Sequence, residues 1–136
     1  MEGGAVIPIG DTKAFSGVSW GEDGAILVST LGKGLLRIPA SGGPPEIVAG
    51  VSNEEGALAF PQILRGGKAI LFAAVARPPD ADTQTIEVLT LADRHRKIVL
   101  RGGQSPRFLP TLGGAGHLVY VHKAALFAIP FDADKL

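Results

Sequence analysis

One order of strands and turns is written into this chain three times, and a chain that repeats itself in this way folds by stacking copies of one unit. The first copy runs Ser16-Gly17-Val18-Ser19-Trp20, the turn Glu22-Asp23-Gly24, Ala25 to Ser29, Gly34 to Pro39 and Pro45-Glu46-Ile47-Val48. The second runs Leu58 to Leu64, the turn Gly66-Gly67-Lys68, Ala69 to Phe72, Thr85 to Leu89 and Arg96 to Leu100. The third runs Arg107 to Pro110, a glycine turn at Gly113 to Gly116, His117 to Val121 and Ala125 to Pro130, and reaches Leu136 without a fourth strand. Glycine (19) and proline (10) punctuate the whole length, which suits many short strands and opposes long helices.

The second strands recur at Ala25, Ala69 and His117, a period of roughly 45 residues, which is the spacing of four-stranded antiparallel β-propeller blades and longer than leucine-rich or ankyrin repeats. Leu35 to Pro39 and Leu126 to Pro130 are apolar on both faces, as in strands sandwiched between neighbouring sheets. Ala5-Val6-Ile7-Pro8-Ile9 resembles Pro45 to Val48 and has no hairpin partner, so it is a candidate for the missing fourth strand. The expected fold is therefore all-β, a single propeller segment with a clasp strand in 1–10, blade one in 15–50, blade two in 57–102 and a three-stranded blade in 106–136.

Three blades are too few for a ring. Two copies arranged head to tail would make a six-bladed homodimer, each N-terminal strand completing the last blade of the other copy and hiding its open edge. The alternative is an excised or engineered piece of a chain with more blades, which the abrupt start and the end just after Phe131-Asp132 also suggest.

Charge and composition exclude more than they identify. Thirteen basic residues balance 13 acidic ones, so no net field draws the chain to nucleic acid or an anionic membrane. With no cysteine there is no disulfide framework, thiolate metal site or cysteine nucleophile, and the redox compartment stays open. The longest run free of charges and turn formers, Ala69 to Ala76, is far short of the roughly 20 residues of a membrane-spanning helix. Met1 to Gly4 carries an acid where a signal peptide carries basic residues, so no signal peptide is expected.

Gly17-Val18-Ser19-Trp20-Gly21 satisfies the G-x-S-x-G pattern of a hydrolase nucleophile elbow, but an elbow needs a strand, a sharp turn and a helix, and a β-rich run follows here. His95 and His122 fall in polar turns and are expected to be solvated; His117 starts a strand and is expected to be partly buried. None has a metal-ligand spacing, and Asp80 and Asp82 lack the glycine and distal glutamate of an EF-hand loop, so no metal and no cofactor is expected. Arg77 to Gln84 is the longest insertion between strands and a candidate contact loop. Trp20 is expected to pack between blades, with Phe60 and Phe72 as partners. Ser19, Gln62 and Arg107 occupy corresponding first strands and are the candidates to line a central channel, where Arg107 could orient an anion.

The phrases Ser19-Trp20-Gly21-Glu22-Asp23-Gly24, Leu36-Arg37-Ile38-Pro39-Ala40-Ser41-Gly42-Gly43 and Leu126-Phe127-Ala128-Ile129-Pro130-Phe131-Asp132 resemble TolB-like (WD40-like) propellers. They look most like the C-terminal sensor-type propellers of bacterial transmembrane serine/threonine protein kinases. The resemblance implies an extracytoplasmic propeller that binds ligands or proteins. The kinase motifs themselves do not occur: there is no glycine-rich phosphate loop, no Asp-Phe-Gly and no His-Arg-Asp loop, Asp93-Arg94-His95 reading differently. The expectation is a noncatalytic module that binds itself, and a small molecule or protein at its channel or loops. The alternative is the propeller part of a larger kinase or prolyl-oligopeptidase-like enzyme whose catalytic domain lies elsewhere.

Overall fold

The computed structural model describes residues 3–6, 8–9, 15–112 and 115–135. The described chain is all-β and antiparallel. Sheet I holds β1 (Phe15–Trp20), β2 (Ile26–Thr30), β3 (Gly34–Ile38) and β4 (Glu46–Ala49). Sheet II holds β5 (Glu55–Ile63), β6 (Ala69–Ala76), β7 (Thr85–Thr90) and β8 (Arg96–Arg101). Sheet III holds β9 (Gln104–Pro110), β10 (Gly116–His122) and β11 (Ala125–Phe131). Each sheet is a meander in chain order, because each connection is a turn too short to cross over. The β10–β11 hairpin turns on Lys123 and Ala124, both with positive φ (46° and 66°), the two-residue geometry that matches strand twist.

The sheets stack face to face in the order I, II, III, with β1 and β2 packed on β5 and with β9 packed on β5 and β6. Alternation sends the two sides of sheet II to two different cores. Ile70, Phe72 and Leu89 join Leu27 and Leu35 of sheet I; Leu71, Ile86 and Val88 join Phe108 and Leu118 of sheet III. Six consecutive residues, Ala69 to Ala74, are thus buried, the continuous apolar run that a doubly covered strand requires. Each buried Leu, Ile or Phe side chain contributes roughly 1.5–3 kcal/mol, so sheet II anchors the stack.

The outer two sheets each have a neighbour on one side only. Ile26 and Val28 share a face with Val18, Trp20, Leu36 and Ile47, by their pairings, and that face turns away from sheet II. Val119 and Val121 share the opposite end face with Leu109, Leu126 and Ala128. Trp20 is 72% exposed and Phe60 43%, so the expected packing of Trp20 against Phe60 and Phe72 is not formed. The phase of β1 places Trp20 beside Ile26 on the outward side, whereas Phe72 points into the core between sheets I and II. His117, expected to be partly buried, is exposed because it pairs with Leu109 and Pro130 on the outward face of sheet III.

The expected N-terminal strand lies partly outside the described residues; residues 3–6 and 8–9 are exposed and form no strand within one copy.

Candidate functional site

The three first strands, β1, β5 and β9, each break register against their neighbour within one residue of the same place in the repeat. The break is a bulge with one residue at positive φ: Gly17 (132°), Phe60 (53°) and Ser105 (53°). Proline follows in two of the three, Pro61 and Pro106, where the unpaired bulge position needs no N–H. Gly17 is required by contact as well as by φ, since a Cβ there would lie 2.9 Å from Pro61 Cδ and 3.0 Å from Phe60 Cα. The bulges and Arg107 surround an open cleft of about 210 Å³.

Two residues beyond each bulge stand Ser19, Gln62 and Arg107. Ser19 and Gln62 hold the next sheet: the Ile63 N–H donates to Ser19 Oγ at 3.0 Å. Gln62 grips the backbone of Phe108 twice, accepting from its N–H at 2.7 Å and donating from Nε2 to its carbonyl at 3.0 Å. These bonds occupy the free edges of β5 and β9, which would otherwise present unpaired backbone groups. The Ser29 hydroxyl adds a third tie, donating to the Leu58 carbonyl while paired with Ser16 Oγ at 2.9 Å. Arg107 is exposed and its side chain bonds no described residue.

Chemically the cleft offers one cation and no acid–base pair. Ser19 lies inside a strand rather than on an elbow, and its oxygen already accepts a backbone N–H. Among the described residues no group of three or more metal-ligating side chains converges.

Two polar clusters escaped sequence reasoning because their members are distant along the chain. Arg96 donates from Nε to Glu87 Oε2 at 2.7 Å and from both terminal nitrogens to Glu55, and its guanidinium lies 5.3 Å over the Phe72 ring. Thr85 donates its hydroxyl to the second Glu87 oxygen at 2.8 Å. Burial pushes the Glu55 carboxyl up, but the hydrogen bonds from Arg96 and the Ser52 N–H outweigh it and hold the group below its ordinary value. Burial likewise opposes the charge on Arg96, and its two carboxylate partners outweigh that and hold its pKa above the usual arginine value.

His122, expected in a solvated turn, ends β10 half-buried, with Nδ1 bonded to the Gly102 carbonyl. Beside it Lys123 Nζ lies 3.1 Å from Asp82, and the Gly102 N–H donates to the Gln84 carbonyl at 2.7 Å. The long loop from Arg77 to Gln84 is thereby tied to the β10–β11 hairpin. His95 is exposed in its turn.

No known protein family and no curated protein matches the chain.

Proposed function

We propose that this chain is a run of three blades of a TolB-like β-propeller. It works as a noncatalytic binding and assembly module that closes a six-bladed ring head to tail with a second copy. The observation that carries the proposal is the match between its two end faces. On β2, β6 and β10 the residues Leu27, Leu71 and Val119 are repeat equivalents, as are Ile26, Ile70 and Leu118. Leu27 and Ile70 meet in one core, Leu71 and Leu118 in the other. Val119 and Ile26 are the members of this series left over, one on each end face. A second copy continues both internal interfaces, and a subunit spanning half a circle closes the ring with two identical seams.

Such a ring places β1, β5 and β9 around its channel, with the cleft between their bulges open to it. Light scattering after size exclusion tests the assembly. A mass of twice 14.0 kDa supports it, and a monomer at every concentration overturns it. Val28→Asp and Val119→Asp, one on each end face, should each give monomers, yet an equimolar mixture should form an open dimer through its one intact seam. A dimer formed by one end face against itself would give no such rescue.

A further inference from the structure

The cross-sheet bonds of the first strands follow a rule. The side chain at one repeat position, Ser19 or Gln62, engages the backbone of the residue one place further on in the next first strand, Ile63 or Phe108. Arg107 holds that position in sheet III and has no sheet beyond it. Trp20 holds the receiving position in sheet I and has no sheet before it. Both are exposed, whereas Phe108, the repeat equivalent of Trp20, is only 6% exposed because Leu64, Ala69 and Leu71 cover it.

We infer that Arg107 and Trp20 form the seam between two copies, an inference that rests on the head-to-tail assembly proposed above. Arg107 donates to the backbone carbonyl of Trp20 of the partner subunit, as Gln62 donates to that of Phe108. The partner subunit's indole is buried over Leu109, His117 and Val119, the repeat equivalents of the residues that cover Phe108. A guanidinium only donates, so at the seam the carbonyl is the group engaged.

Trp20 is the only tryptophan, so its fluorescence reads the seam directly. On dilution of the full chain, the emission should move to the red in step with the fall from dimer to monomer mass. Arg107→Ala should weaken the dimer roughly a hundred- to ten-thousandfold, because each dimer loses one charge-assisted hydrogen bond at each of its two seams. Arg107→Gln, which installs the side chain that serves at the II–III junction, should bind within about threefold of the parent. Arg65→Ala, an exposed arginine in the β5–β6 turn, should change nothing. If the copies associate but Arg107→Ala leaves the affinity unchanged, or the emission ignores dissociation, the seam assignment is wrong and the assembly stands. If the parent chain never associates, the assembly itself is wrong.

Discussion

Replacing Gln62 by Ala removes one side chain and unpairs two backbone groups on the edge of β9. Its amide accepts from the Phe108 N–H at 2.7 Å and donates to the Phe108 carbonyl at 3.0 Å. Each such bond contributes about 1 kcal/mol net, and each buried backbone group left unpaired costs about 1–3 kcal/mol instead. Both bonds are part-buried, so water replaces them only in part, and the expected loss sits in the lower half of the range for two such groups, about 2–4 kcal/mol. Urea unfolding followed by far-ultraviolet circular dichroism, at one fixed protein concentration because association adds to apparent stability, measures it.

Gln62→Glu separates the two bonds. The introduced carboxylate still accepts the Phe108 N–H but opposes its carbonyl, and once protonated it can donate again. The folded pKa of that carboxyl is therefore raised. Its stabilising contribution is complete below the ordinary glutamate value of about 4.3 and is lost as pH rises through the folded pKa. Gln62→Glu should thus gain on Gln62→Ala as the solution is acidified. A Gln62→Ala protein within about 0.5 kcal/mol of the parent would refute the view that this side chain clamps sheet III to sheet II, since surface substitutions cost no more than that.

Gly17→Ala, which needs both φ of 132° and a Cβ 2.9 Å from Pro61, should cost about 2–4 kcal/mol in the same urea titration. Gly32→Ala, at φ 74° but in open space, should cost only about 1–2 kcal/mol. Arg96→Met leaves Glu55 and Glu87 unpaired and close together, and should destabilise by about 2–4 kcal/mol at neutral pH with partial recovery in acid. Because the Glu55 pKa is depressed, its contribution is present above the ordinary value of 4.5 and fades as pH falls through the folded value. Glu55→Gln should flatten that acid limb of the stability curve. His122→Ala removes the hairpin's hold on the Gly102 carbonyl and so loosens Gly102, which carries the loop through Gln84; an Asp-directed protease should cut at Asp80 and Asp82 faster than in the parent, with overall stability little changed.

The strand order was legible because alternation and turn glycines are local signals, and all eleven strands fall within or beside the segments they mark. The side on which Trp20 lies was not legible. Its phase against Ile26 follows from the strand, but which side of sheet I has a neighbour depends on the stack as a whole. The Arg96 clamp left no trace in the sequence either, since Glu55 stands 41 residues away and no periodicity links the two. Ser19, Gln62 and Arg107 were found by repeat position, and position explains more than polarity does. The first strand of every sheet has a bare edge facing the ring axis of the proposed assembly, and a side chain from the preceding sheet covers part of it where a preceding sheet exists. Serine suffices at the I–II junction, where one N–H needs an acceptor, and glutamine is needed at II–III, where an N–H and a carbonyl are both engaged. At the third position an arginine supplies donors alone, which in the proposed assembly suits a backbone carbonyl of the partner subunit. In that proposed assembly, the difference in donor type separates a junction within one copy from a seam between two.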